Sequence, residues 1–82
     1  MVILVAEKPQ DYEIYPNPSQ DGYLSLTGPN MNDVQIEVLD IFGRSAQSRI
    51  LKKSNSESEL YIESPGLYFI KIDEQVKRVL IR

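Results

Sequence analysis

The alternation Val34-Gln35-Ile36-Glu37-Val38 constrains this chain more than any other stretch. Successive side chains of an extended strand point to opposite faces, so the three β-branched residues share one face and Gln35 and Glu37 the other. A strand with one buried and one wet face has this pattern. Slipping the register by one residue would bury Glu37 without a partner, so the pairing is well specified. No stretch sustains a 3.6-residue period, and further short runs of period two recur between turn residues. The expectation is an all-β domain with almost no helix, its seven or eight strands packed as two antiparallel sheets.

The same reading places a first strand at residues 2 to 7, a second at Tyr12 to Tyr15 and a third at Tyr23 to Thr27, with Leu24 and Leu26 on one face. Pro16 and Pro18 bracket Asn17 and remove two ladder donors, which marks a strand edge or exit. Ser19-Gln20-Asp21-Gly22 supplies a turn, with Gly22 best able to take positive φ. Residues 28 to 33 form a polar loop whose Met31 is expected at the edge of the core. In the connection Asp40 to Arg44, the Asp40 carboxylate is placed to accept from backbone N–H groups two or three residues on, with Gly43 closing the turn. Phe42 is expected to fold back over the sheet, and Ala46 to Lys52 to return as the second strand of that hairpin. Lys53 to Ser58 reads as a solvent loop before a short strand at Leu60 to Ile62. Ser64-Pro65-Gly66 marks a turn, and Leu67 to Ile72 with Val76 to Ile81 forms the last hairpin, across Asp73-Glu74-Gln75.

At 82 residues the chain has room for one thin core and little room for a deep catalytic cleft. It has no cysteine and no histidine, which removes disulfides, thiolate chemistry, the usual base of a serine nucleophile and the best zinc ligands. No metal site and no cofactor is expected. Nine basic residues against twelve acidic ones give a net charge of −3, with no general attraction to nucleic acid. Met1-Val2-Ile3-Leu4-Val5-Ala6 is too short to span a bilayer and lacks the layout of a signal peptide. The chain is therefore read as not membrane-spanning, and any export signal as lying upstream in a longer precursor.

The five tyrosines, at positions 12, 15, 23, 61 and 68, extend a thin core with their rings and reach its wet rim with their hydroxyls. A sugar-stacking platform would need at least two of them coplanar and exposed. Asp11, Asp21, Asp33, Asp40 and Asp73 lie beside expected turns, where capping the backbone accounts for them. They have neither the spacing of a calcium loop nor the enforced pairing of a glycosidase. Lys71, Lys77, Arg78 and Arg82 concentrate in the final hairpin. Lys77 points opposite to Arg78, whereas Arg78 and Arg82 share a face onto which Lys71 can project across the ladder, a positive strip able to meet an acidic partner.

Taken together, Tyr12-Glu13-Ile14-Tyr15-Pro16-Asn17-Pro18, Gly22-Tyr23-Leu24-Ser25-Leu26, Val34 to Arg44 and Gly66-Leu67-Tyr68-Phe69-Ile70-Lys71-Ile72 with a basic last strand resemble the type A C-terminal sorting domains of the type IX secretion system of Bacteroidetes. The resemblance covers about seventy residues in order. It implies a small immunoglobulin-like two-sheet antiparallel β-sandwich over residues 11 to 82, with residues 1 to 10 a linker or an extra edge strand. It further implies an address label with no active site of its own. An upstream cargo domain would reach the periplasm, pass an outer-membrane translocon that recognises the label, and arrive secreted or at the cell surface, the label then removed by a sortase-like protease. The partner-binding features carried over are Pro16, Asn17 and Pro18, the turn with Asp40, Gly43 and Arg44, the start of the next strand at Gly66 and Tyr68, and Lys71, Lys77, Arg78 and Arg82. Strand addition to an exposed edge is one docking mode, and the same edge could pair with a second copy as a homodimer. The alternative function is a non-catalytic accessory sandwich that binds carbohydrate or acts as a structural spacer.

Overall fold

The structure, a computed structural model, describes residues 12–82, so the strand expected at residues 2 to 7 lies outside the described residues. Seven strands follow: β1 (Glu13–Tyr15), β2 (Tyr23–Thr27), β3 (Ile36–Leu39), β4 (Ser48–Ser54), β5 (Glu57–Ile62), β6 (Gly66–Ile72) and β7 (Gln75–Ile81). They form two antiparallel sheets, ordered β1-β2-β5-β4 and β3-β6-β7. No helix occurs among the described residues.

The alternation read from the sequence decides what lies between the sheets. Leu24 and Leu26 of β2 and Leu60 and Ile62 of β5 meet Val38 of β3, Ile70 and Ile72 of β6 and Val79 and Ile81 of β7 in one buried cluster. Val34 joins it from just before β3, and Glu37 is exposed, as one register only allows. Met31 is fully buried and belongs to the core itself, not to its edge. Burying such a side chain contributes about 1.5–3 kcal/mol, enough to fix an otherwise polar loop. The ammonium of Lys52 holds the same loop from β4, donating to the carbonyls of Met31 and Val34 at 2.8 Å each.

Further sequence expectations are corrected. The chain leaving β3 begins a hairpin and abandons it: a bridge joins Leu39 to Ser45 and the Ala46 N–H reaches the Val38 carbonyl, but β4 then pairs with β5 in the other sheet. Beyond Ala46 the returning strand has few inward apolar residues, and the one at Ile50 sits opposite Leu60 at the outer margin of the four-stranded sheet. Phe42 is 74% exposed and does not fold over the sheet. Residues 53 to 58 are mostly strand, since β4 runs to Ser54, β5 starts at Glu57, and only Asn55 and Ser56 form the turn. The final hairpin is likewise tighter than expected, with Ile72 opposite Gln75 and Asp73 at a φ of 52°.

Candidate functional site

The residues singled out in the sequence converge on the three-stranded sheet. Its register sets Leu67 opposite Leu80, Phe69 between Leu39 and Arg78, and Lys71 between Glu37 and Val76. Their alternate neighbours Tyr68, Ile70, Ile72, Val79 and Ile81 are buried, so these residues form the outer face. Leu67 and Leu80 are each 37% exposed and Val76 is 56% exposed, while Leu39 and Phe69 are half-buried. Arg82 continues the alternation of Arg78 and Leu80, and the three line a hollow of about 300 Å³ with Asn17, Pro18 and Leu67. Lys71 therefore does project beside Arg78, one row away.

Pro16, Asn17 and Pro18 fasten this sheet to the start of the chain. Both prolines follow cis peptide bonds. The Asn17 amide donates to the Arg78 carbonyl at 3.0 Å, and its oxygen accepts the Leu80 N–H at 3.0 Å. Ser19 continues the clasp in the backbone: its N–H donates to the Leu80 carbonyl at 2.9 Å and its carbonyl accepts the Arg82 N–H at 2.8 Å. The fully buried Ser19 hydroxyl donates to the Tyr23 carbonyl at 2.9 Å and accepts the Gly22 N–H at 3.1 Å. Gly22 has a φ of 88°, as its turn requires. Sequence reasoning missed Ser19 as a fastening point, and a serine directly after two prolines gives no local signal of a partner sixty residues away.

Asp40, Gly43 and Arg44 build a closed turn at the end of β3, which the register places at the Leu67 end of the face. The Asp40 carboxylate accepts the Phe42 N–H at 2.8 Å, the Arg44 N–H at 3.0 Å and the Arg44 Nε at 3.2 Å. The Arg44 backbone N–H is the main cause that holds this carboxyl below its ordinary range; burial opposes it, while the Phe42 N–H and the Arg44 charge assist. Gly43 has a φ of 80°. The turn presents Ile41, 57% exposed, and Phe42, whose ring lies 5.2 Å from the Arg44 guanidinium.

Gly66, Tyr68 and Lys77 do not join the outer face. Tyr68 is buried and its hydroxyl donates to the Ser64 carbonyl at 2.8 Å, so it braces the segment before β6, where Gly66 takes a φ of 149°. Lys77 lies on the other side of β7, in a cleft of about 370 Å³ lined by Tyr12, Glu13, Ile14 and Tyr15 of the opposite sheet's edge. The apolar outer residues Leu39, Leu67, Phe69, Val76 and Leu80 were not singled out as functional in the sequence. Leu67-Tyr68-Phe69-Ile70 is apolar on both faces, where a strand with one wet face would alternate, so periodicity does not separate its outer residues from its buried ones.

On the opposite sheet, Tyr23 and Tyr61 lie 4.6 Å apart between centroids with planes tilted by 40°, so they do not form the coplanar pair that a sugar platform needs. No group of three or more metal-ligating side chains occurs among the described residues. Among them, too, no helix is long and apolar enough to cross a membrane.

Fold and surface together define a small all-β module of two antiparallel sheets, the smaller of which carries exposed apolar and basic side chains on its outer face. Residues 13–82 match the secretion system C-terminal sorting domain family. The chain belongs to that family, which is defined by sorting and not by a reaction. No curated protein and no solved structure gives a significant match.

Proposed function

We propose that this chain is a type IX secretion label, and that residues 11 to 82 form an immunoglobulin-like β-sandwich that directs an upstream cargo through the outer-membrane translocon. The observation that carries the reading is the family match, which spans all but one of the described residues. The strand order supports the immunoglobulin-like form, since four strands ordered first, second, fifth, fourth and three ordered third, sixth, seventh follow the constant-type arrangement. The bond from Tyr68 near the start of the sixth strand to the Ser64 carbonyl has the character of that fold's tyrosine corner.

On this reading the cargo crosses the periplasm as a folded protein of a Bacteroidetes cell and is secreted or displayed at the surface, and a sortase-like protease removes the label near its start. The clasp at Pro16, Asn17 and Pro18, the turn at Asp40, Gly43 and Arg44, and Gly66 with Tyr68 hold the shape, while Lys71, Arg78 and Arg82 make contact and Lys77 supports from the cleft side.

The test fuses residues 1 to 82 to the C-terminus of a folded periplasmic reporter in a type IX-competent cell. Its extracellular fraction is compared with that of a fusion lacking Val76 to Arg82 and with the intact fusion in a translocon-deficient strain. Export lost in both controls is the expected result. A reporter that remains periplasmic although its intact domain is folded refutes the label.

A further inference from the structure

We infer that the outer face of the β3-β6-β7 sheet docks a protein surface with an apolar centre and a carboxylate rim, and that this partner reads the face and not the edge of β7. The inference rests on the sorting-label reading in one respect, that the partner belongs to the export machinery.

The face has the two components such a partner needs. Its centre is the row of Leu67 and Leu80, with Phe69 and Leu39 beside it and Val76 beyond, all on one side of the sheet by register. Three of the five are exposed, and apolar residues gathered on one face and rimmed by charge are where protein interaction sites are found. Lys71, Arg78 and Arg82 surround the centre, against Glu37 as the acid in the same rows. None of the three cations forms a salt bridge among the described residues. The chain as a whole carries a net charge of −3, so this concentration of cations runs against its composition. The outer face of the other sheet carries Glu13, Glu57 and Glu59 along with Arg49 and Lys53, and there Lys53 is paired with Glu59 and Arg49 lies over the Tyr61 ring, so its cations are engaged. Charge complementarity therefore orients an acidic partner toward β6 and β7.

The hollow between Pro18, Leu67, Leu80, Arg78 and Arg82 fixes where a carboxylate would sit. Arg78 and Arg82 line it together with the apolar Pro18, Leu67 and Leu80, and guanidinium is the cation best matched to carboxylate geometry.

Edge docking is disfavoured by the clasp. A strand added to β7 needs its outward backbone groups, yet the Arg78 carbonyl, both backbone groups of Leu80 and the Arg82 N–H are bonded to Asn17 and Ser19. These bonds occupy the second half of β7 and interrupt the several consecutive bonds that strand addition needs.

The test uses the reporter fusion with paired substitutions. Arg78→Glu with Arg82→Glu and, separately, Leu67→Ser with Leu80→Ser alter the face. Arg49→Glu with Leu51→Ser alters the exposed edge strand of the other sheet. The extracellular fraction is expected to fall about ten-fold or more for each face variant and to stay at the unmodified level for the other-sheet variant, with thermal unfolding of each purified 82-residue chain as the check on folding. Should the leucine pair unfold the domain, Lys71→Glu with Val76→Asp, both at exposed positions, replaces it and is expected to lower export likewise. Folded face variants that export normally overturn the inference and leave the label standing. An unmodified fusion whose export ignores the translocon overturns the label instead.

Discussion

Replacing Asn17 by alanine isolates the clasp that joins the first strand's exit to the last strand. Two hydrogen bonds disappear, one to the Arg78 carbonyl and one from the Leu80 N–H, each 3.0 Å long. A neutral hydrogen bond contributes about 0.5–1.5 kcal/mol net. Because Asn17 is exposed, water can replace it in part, so the loss lies in the lower half of the range, about 1–2 kcal/mol in total. For a domain of this size that corresponds to a fall in melting temperature of roughly 5–15 °C. Asn17→Asp separates the two bonds: the carboxylate still accepts from Leu80 but cannot donate to the Arg78 carbonyl, so it loses at least one bond. Thermal unfolding gives the magnitude and amide hydrogen exchange gives the location. In the alanine variant the Leu80 amide should exchange much faster, while the Arg82 amide, held by the Ser19 carbonyl, should be affected less. An alanine variant that melts with the unmodified chain and protects Leu80 equally would refute the clasp.

Three further perturbations test the packing and the turn. A methyl group added at Gly28 would run into the ring of Tyr12, which is only 5% exposed, so Gly28→Ala should cost about 1–3 kcal/mol by chemical denaturation, and Tyr12→Leu should recover part of that loss. Ser58 is fully buried with no partner for its hydroxyl among the described residues, so Ser58→Ala should leave stability unchanged or raise it by up to about 2 kcal/mol, and a clear loss would reveal an unseen partner. The Asp40 carboxyl is held below its ordinary value in the folded chain, so its contribution is present above the unfolded value, near pH 4, and is lost as pH falls through the lower folded value. Stability measured across acid pH should therefore decline less in Asp40→Asn than in the unmodified chain.

Much of this fold was legible because thin two-sheet domains write their register into alternation. Leu24 and Leu26, and Val34 and Val38, were identifiable by period two alone. The fate of Ala46 to Lys52 was not. A turn as well formed as Asp40 to Arg44 predicts a hairpin locally, and only the competition between sheets sends the next strand across. That choice depends on Ile50 finding Leu60 and on Lys52 finding the carbonyls of Met31 and Val34, contacts between segments that no local window contains. The surface was legible in its charges and illegible in its apolar centre, since Leu67 and Phe69 alternate with buried residues that are equally apolar. Hydrophobicity there cannot say which face is covered.

The clasp and the face bear on each other. Asn17 and Ser19 reach residues more than sixty positions away in the chain, so the clasp exists only where the two ends of the domain are held together. Leu67 meets Leu80, and Phe69 meets Arg78, only where β6 and β7 are paired, and Leu39 joins them only where β3 pairs with β6. A partner that bound the last strand as a linear peptide would recognise it folded or unfolded, and its affinity would survive loss of the clasp. A partner that reads the face requires side chains from β3, β6 and β7 together, so it responds to the folded domain. Removing Asn17 should then weaken recognition in proportion to the closed population: a loss of about 1–2 kcal/mol leaves a domain of typical stability mostly folded, and export should stay near normal in the cool and fall as temperature approaches the lowered melting point. Export that ignores melting altogether would point to the linear strand.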